Sequence, residues 1–254
     1  MSNYVFKRIE KKYLISDYNF NILRKRIDPY MTVDDYGLHT ICNIYYDTDN
    51  YELIRNSIEK PKYKEKLRLR SYGKVNNDNK VYLELKKKYC ETVFKRRIAL
   101  TLEEAINYLE HGIKPPKNSQ ILNEIDYCIN FYKPEKKVFI AYDRIAFFGK
   151  EDKNFRITFD MNIRSRAYDL DLSKGDFGKV LDNFNGYLME VKTTGALPIW
   201  LVNILSEMKI YPSSFSKYGT VYKNELINTL YKDINITPQN CINEWRINKC
   251  LQAS

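Results

Sequence analysis

Charged and aliphatic residues alternate along much of the chain, most clearly between Lys66 and Lys88. In the first half of this stretch Lys66, Arg68 and Arg70 alternate with leucines, and after a Gly/Asn/Asp turn over residues 73–79 the alternation resumes. Successive side chains of a strand point to opposite faces, so each half has one charged face and one aliphatic face. The stretch therefore predicts two antiparallel strands joined by a long hairpin loop.

The same alternation recurs in other predicted strands, nearly all of which carry Lys or Arg on the polar face. The predicted strands are 5–15, 40–46, 66–70, 81–88, 92–100, 136–148, 155–164 and 187–192. One half-exposed hairpin would simply place its charges in water. Repetition of the pattern instead favours a barrel whose lumen holds the charges, while helices cover the aliphatic face. Lys11, Lys87 and Arg96 have the opposite parity and are expected to face solvent.

Helices are predicted where apolar residues recur at helical spacing after a capping residue. Ser16 is placed to cap one helix, and Thr101 with Glu104 forms a capping box for another. The predicted helices are 17–27, 47–58, 101–112, 119–131, 198–208 and 219–231, with a docked helix in 233–254. The chain contains no internal repeat and no linker. These elements predict one α+β domain over 1–254, with a core of about 4–222 and a C-terminal helical extension over 223–254.

Composition points to a polyanionic partner. The 254 residues include 42 Lys+Arg against 32 Asp+Glu, giving a formal net charge of +10. Such an excess attracts nucleic acid, anionic lipid, nucleotides and inorganic polyphosphate alike. A basic lumen favours polyphosphate or a nucleotide among these.

Cysteine and histidine usage excludes several other classes. The five cysteines form no CxxC pair, which argues against a disulfide framework and a zinc site. Two histidines are too few for a histidine-rich metal site, and they make Cys/His catalysis improbable. No apolar signal core or membrane segment is present, so we expect a soluble, cytoplasmic protein, and the sequence leaves a membrane partner open.

Eight short motifs occur in an order that resembles a known family. They are RxExKY (Arg8 to Tyr13), RLR (Arg68 to Arg70), ELK (Glu84 to Lys86), KRR (Lys95 to Arg97), YDR (Tyr142 to Arg144), RITFD (Arg156 to Asp160), EVK (Glu190 to Lys192) and SKY (Ser216 to Tyr218). Over about residues 4–222 the chain resembles the VTC domain, the polyphosphate-polymerase branch of the CYTH-like triphosphate tunnel metalloenzymes. Each motif is weak alone, but eight in order are fairly specific.

The resemblance implies an antiparallel eight-stranded β tunnel barrel with a basic lumen and helices packed outside. It implies a metal-dependent polyphosphate polymerase that transfers the γ-phosphoryl group of ATP to a growing polyphosphate chain, with Mn²⁺ or Mg²⁺. Residues matching catalytic positions are Arg68, Arg70, Lys86, Arg144, Arg156 and Lys217. Further phosphate-binding candidates are Arg8, Lys12, Lys95 or Arg97, Tyr142, Lys192 and Ser216. Glu190 matches the metal ligand.

Three other carboxylates, Glu10, Glu84 and Asp160, are second-rank metal candidates. For these residues an ion-pair role, holding neighbouring Lys and Arg in place, has equal weight. Arginine suits phosphate binding because its planar fork grips two oxygens at once.

Alternative functions remain open at this point. Water in place of the acceptor would make the same fold a triphosphatase acting on inorganic triphosphate or a nucleoside triphosphate, and loss of turnover would leave a polyphosphate-binding domain. A nucleic-acid-binding β protein is disfavoured, because basic residues in such proteins are interleaved with stacking aromatics. Here the basic positions alternate mainly with aliphatic residues, so no nucleic acid is expected.

Overall fold

The computed structural model describes residues 9–227, except residues 60, 91, 117–118, 182–183 and 185. Arg8 and the part of the predicted C-terminal extension beyond residue 227 lie outside the described residues. The chain forms two compact units, Met1–Phe215 and Ser216–Ser254.

An antiparallel sheet dominates the first unit. Its strands are β1 (Ile9–Ile15), β2 (Met31–Val33), β3 (His39–Asp47), β4 (Tyr63–Tyr72), β5 (Lys80–Tyr89), β6 (Thr92–Thr101), β7 (Glu135–Gly149), β8 (Arg156–Arg166), β9 (Lys179–Val180) and β10 (Tyr187–Thr193). Eight of them follow the order β1-β10-β8-β7-β3-β4-β5-β6, while β2 pairs with β7 and β9 with β8. All eight predicted strands are present, and the predicted hairpin is β4–β5.

Helices connect these strands, and two of them begin at the predicted caps, Ser16 and Thr101. The first unit contains α1 (Asp17–Ile27), α2 (Glu52–Ile58), α3 (Leu102–His111), α4 (Gln120–Tyr132) and α5 (Ile199–Glu207), and the second contains α6 (Lys217–Val221) followed by a π-helical turn, Tyr222–Leu226. Ser16 caps α1, and the capping box of Thr101 and Glu104 opens α3. None of the described helices is long and apolar enough to cross a membrane.

The helix after β3 begins five residues later than predicted. Asp47 remains in the strand, and its carboxylate accepts hydrogen bonds from the backbone N–H groups of Leu53 and Ile54 at 2.8 and 3.0 Å. Asp47 thus caps the helix from a distance instead of starting it.

The aliphatic face of the sheet is covered by two pairs of helices. Over β4 and β5, Leu67 and Leu85 pack with Ala105 of α3 and Ile125 of α4. Further along the same face, a second buried cluster joins β1, β8 and β10 to α1 and α5. The opposite face carries the charged residues of the alternating strands and is called the concave face below. This arrangement places the hydrophobic core outside the curl and the charges inside it.

The sheet curls strongly enough to bring distant strands together. β1 and β5 are separated by five strands in the sheet order, yet Glu10 Oε1 of β1 is 3.9 Å from Lys86 Nζ of β5. Among the described residues no hydrogen-bonded ladder joins the terminal strands β1 and β6. The fold is therefore a curled antiparallel half-barrel with external helices, and the predicted α+β class with a basic inner face is confirmed.

Candidate phosphate-binding site

Four cations surround one buried carboxylate on the β4–β6 side of the concave face, here named the Glu84 cluster. Glu84 lies 2.7 Å from Arg68, 2.8 Å from Lys95, 3.0 Å from Arg97 and 3.8 Å from Arg70, and its side chain is 2% exposed. Strand register creates this arrangement, because Glu84 pairs with Arg68 of β4 and with Arg97 of β6. Burial alone would raise the pKa of Glu84, but Arg68, Arg70 and Lys95 outweigh burial and hold that pKa well below its usual value.

Neutral side chains orient the two arginines of the RLR motif. Arg68 donates to the hydroxyl of Tyr45 at 3.2 Å. Arg70 donates to Asn43 Oδ1 at 3.0 Å and to the hydroxyl of Tyr142 at 3.3 Å. A guanidinium has five N–H donors, so both groups are fixed in place while keeping donors for an anion.

A second cluster lies on β1, β7, β8 and β10 and is named the Glu190 cluster. Glu190 is 3.3 Å from Lys12, 3.2 Å from Lys192 and 3.8 Å from Arg144. Arg144 also makes a bidentate ion pair with the fully buried Asp160, at 2.6 and 2.8 Å. The carboxylates in this cluster therefore position the YDR arginine and the two lysines.

Glu10 extends the Glu190 cluster across the concave face towards Lys86 of β5. Its carboxylate lies 3.7 Å from Lys12 and 3.9 Å from Lys86. Burial and the nearby Glu190 both oppose ionisation of Glu10, but Lys86, Lys192 and Lys12 together lower its pKa. Glu10 is thus ionised, and basic and acidic groups continue without interruption from β1 across to β5.

Lys66 belongs to the concave face although no motif singles it out. Burial and the positive charges of Lys12, Lys86, Lys64 and Arg68 lower its pKa to about 7. Its parity with Arg68 was the only sequence signal, because the proximity of Lys12 depends on the curl of the sheet. Burial likewise lowers the pKa of Lys95 to about 8, against the raising effect of Glu84.

The structure thus brings most of the predicted site residues to one surface. Those on the concave face are Glu10, Lys12, Arg68, Arg70, Glu84, Lys86, Lys95, Arg97, Tyr142, Arg144, Asp160, Glu190 and Lys192. Arg156 shares their parity, but its side chain is 46% exposed and lies 3.7 Å from Asp34.

The SKY motif lies in the second unit. Ser216 caps α6, since its side chain accepts a hydrogen bond from the backbone N–H of Gly219 at 3.2 Å. Lys217 is the first residue of that helix. Their part in phosphate binding remains a prediction, as does that of Arg8, which lies outside the described residues.

The carboxylates of the Glu190 cluster could contribute to a metal site. In the described part of the chain, no group of three or more His, Cys, Asp or Glu residues is placed to hold an ion by itself. Glu10 and Glu190 both approach Lys12 Nζ, at 3.7 and 3.3 Å, which offers two carboxylates to one cation. Hard divalent cations often take one or two protein carboxylates and complete their coordination with water and substrate oxygens. The donor set fits such an ion.

A curled antiparallel sheet with helices outside and a dense array of Arg and Lys inside defines a protein that can enclose a polyanion. Among known families, the VTC domain model matches residues 7–225 of this chain. The chain belongs to the VTC domain family.

Solved structures with a similar fold are distant in sequence. A Bacillus halodurans protein described as a candidate adenylate cyclase is 16% identical, with a TM-score of 0.51 over 83% of this chain and 95% of that one. A Hippeastrum candidate adenylyl cyclase, described as having a dominant triphosphatase activity, is 17% identical, with a TM-score of 0.49 over 85% and 95% of the two chains. The first likeness supports the fold alone. A search of curated protein sequences found no match.

Proposed function

We propose that this protein is a polyphosphate polymerase that transfers the γ-phosphoryl group of ATP to the end of an inorganic polyphosphate chain. The observation that carries the proposal is the convergence of Arg68, Arg70 and Arg144 with Lys12 and Lys86 on one concave face. The cations on this face outnumber the carboxylates that pair with them, Glu10, Glu84, Asp160 and Glu190, so a bound anion would relieve the repulsion that remains. Membership of the VTC domain family supports a phosphate chain as that anion.

The reaction needs positioning and charge neutralisation more than covalent help. An oxygen of the terminal chain phosphate attacks the γ-phosphorus, the bond from that phosphorus to the β–γ bridging oxygen breaks, and ADP leaves with the electron pair. Negative charge on the equatorial oxygens is stabilised by cations fixed in advance. Arg68 and Arg70 are suited to this role, because Glu84, Tyr45, Asn43 and Tyr142 already hold their guanidinium groups.

Lysines and the Glu190 cluster would complete the site. Lys12 and Lys86 are compact charges that can follow phosphates of a chain without a fixed geometry. Glu190, with Glu10 beside it, would hold Mn²⁺ or Mg²⁺, and a bound divalent cation supplies charge neutralisation on phosphate oxygens. Arg144 would remain beside this position, because Asp160 anchors it.

The direct experiment is incubation of the purified protein with ATP and Mn²⁺ or Mg²⁺, followed by separation of the products on a gel stained for polyphosphate. A ladder of chains with release of ADP is expected. Release of ADP and orthophosphate without chains would instead indicate a triphosphatase of the same fold. Tight triphosphate binding without turnover would indicate a polyphosphate-binding domain.

A further inference from the structure

Thr158 of β8 carries a buried hydroxyl group that has no hydrogen-bond partner. The residue is 4% exposed, and its Oγ1 atom contacts no donor or acceptor in the described part of the chain. A hydroxyl that gives up its hydrogen bonds to water without replacing them destabilises the folded state. Such a group in a folded protein therefore calls for a functional explanation.

Strand pairing places this hydroxyl beside the Glu190 cluster. Thr158 lies directly opposite Glu190 of β10 and, on its other side, directly opposite Ala146 of β7. Side chains directly opposite each other in an antiparallel pair have Cβ atoms about 4.5–5.5 Å apart. The methyl group of Ala146 offers no hydrogen-bonding atom. Glu190 is therefore the polar side chain that faces Thr158 directly across a strand.

The neighbours of Thr158 along β8 on the same face are engaged with other groups. Asp160 makes its bidentate ion pair with Arg144, and Arg156 lies 3.7 Å from Asp34. Neither of them is hydrogen-bonded to Thr158. These contacts leave the Glu190 carboxylate as the group that the Thr158 hydroxyl is placed to serve.

Cations now occupy the Glu190 carboxylate in place of Thr158. Oε1 lies 3.3 Å from Lys12 Nζ, and Oε2 accepts a hydrogen bond from Lys192 Nζ at 3.2 Å. A divalent cation held by Glu190 would repel both ammonium groups, because like charges at such short range oppose each other strongly. The carboxylate would then need a neutral donor to replace the one that it loses.

A threonine hydroxyl suits that need. It donates one hydrogen bond without adding positive charge beside the ion, and its branched Cβ restricts its side-chain rotamers. Carboxylates that bind a metal ion are usually hydrogen-bonded by a further residue, and the loss of that residue typically costs about 10- to 100-fold in metal affinity.

We propose that Thr158 is a positioning residue for the metal ligand: when a divalent cation is bound, its hydroxyl donates to the Glu190 carboxylate and fixes the orientation of that carboxylate. This inference rests on the proposed function, which assigns the cation to Glu190. The RITFD motif thus contributes its central residue to the site, in addition to Arg156 and Asp160.

The test measures the affinity of the full chain for Mn²⁺ alone, from the electron paramagnetic resonance signal of the free ion. Thr158→Val keeps the shape of the side chain but removes the hydroxyl, and should weaken Mn²⁺ binding about tenfold. Thr158→Ser keeps the hydroxyl and should stay within about twofold of wild type. Thr158→Val added to Glu190→Gln should cause no further weakening, because the hydroxyl acts through Glu190.

Stability in urea without metal distinguishes positioning from packing. Thr158→Val replaces an unpaired buried hydroxyl with a methyl group, so its urea midpoint should equal or exceed that of wild type. Thr193→Val is the matched control. Thr193 is 5% exposed, lies on the opposite face of β10, and its hydroxyl accepts a hydrogen bond from the backbone N–H of Gly195 at 3.2 Å. This variant should lower the urea midpoint and leave Mn²⁺ affinity unchanged.

Four results would overturn the inference. They are unchanged Mn²⁺ affinity in Thr158→Val, a joint loss of affinity and stability in that variant, additive weakening with Glu190→Gln, and a wild type that binds no Mn²⁺. Polyphosphate synthesis is assayed separately. If the affinities follow the expected pattern but no polyphosphate forms, the proposed polymerase function alone fails. If polyphosphate forms but Thr158→Val binds Mn²⁺ as wild type does, the positioning role alone fails.

Discussion

The Glu84 and Glu190 clusters both combine carboxylates with several cations, but they differ in how tightly the carboxylate is held. Three cations lie within 3.0 Å of Glu84, which is 2% exposed, whereas the neighbours of Glu190 lie at 3.2–3.8 Å. A carboxylate packed against Arg68, Lys95 and Arg97 has little capacity for another ligand. Glu84 is therefore suited to hold the arginines in position, and Glu190 is the better candidate for a metal ligand.

The largest expected effect is on turnover when the Glu84 cluster loses an arginine. Arg68→Ala should reduce polyphosphate synthesis by about 100-fold or more, the cost typical of removing one fixed donor from charge developing in a transition state. Arg68→Lys keeps the charge but not the planar fork, and should fall between wild type and alanine. Chain synthesis from ATP is the measurement, with circular dichroism to show that each variant is folded. Near-normal synthesis by folded Arg68→Ala would remove Arg68 from the site.

The next largest expected effect is on protein stability, which should fall more when Glu84 is substituted than when Glu190 is substituted. Glu84→Gln leaves four cations around a neutral buried side chain and should lower the free energy of unfolding by about 3 kcal/mol. Glu190→Gln, with looser partners, should cost about 1 kcal/mol or less. Urea denaturation of the two variants in the absence of phosphate measures both values. Equal losses would mean that the two clusters have the same structural role.

A smaller effect is expected on the metal concentration that the enzyme requires. Here the substitution of Glu190 should matter more than that of Glu84. Glu190→Gln should raise the Mn²⁺ or Mg²⁺ concentration needed for half-maximal activity about tenfold, as is typical when a metal site loses a carboxylate partner. Glu84→Gln should leave that midpoint unchanged even where it lowers the maximal rate. Metal titrations of residual activity distinguish the two. A shifted midpoint in Glu84→Gln alone would assign the metal to the other cluster.

The smallest effect concerns the pH dependence of anion binding through Lys66. Its folded pKa of about 7 lies below its ordinary value of 10.5, so between these values the unfolded chain binds more protons and stability without ligand rises with pH. A bound polyanion restores the proton, so tripolyphosphate affinity should fall above pH 7 by up to about tenfold per pH unit. Lys66→Met should flatten this slope relative to wild type in calorimetric titrations at pH 7 to 9. An identical slope in the two proteins would exclude Lys66 as the proton acceptor.

Much of the architecture could be predicted from alternation and capping alone. The strands of the β4–β5 hairpin and the caps at Ser16 and Thr101 depend on residues close in sequence, and all were predicted. β2 and β9 were missed, because segments of three and two residues are too short to show a period, and both depend on pairing with β7 and β8.

The sequence predicts the site only to the extent that alternation along a strand determines which face of the sheet each side chain occupies. Alternation placed Arg68, Arg70 and Glu84 on one face, but the proximity of Glu10 to Lys86 depends on the curl of the sheet. The expectation that Lys87 and Arg96 face solvent was wrong, because both make ion pairs with Glu124 of α4. Helix packing over the strands, which alternation does not specify, determined that outcome.

The paired lysines at one end of the concave face have a consequence for ionic strength. Lys64 faces Lys88 and Lys66 faces Lys86, so the ligand-free protein contains repulsion that added salt screens. Raising the salt concentration from about 0.1 to 1 M shortens the Debye length from about 10 to 3 Å. The ligand-free protein should therefore melt at a higher temperature in concentrated salt, while the same screening weakens the hold on a polyanion. Salt should thus bring the melting temperatures of the free and the bound protein closer together.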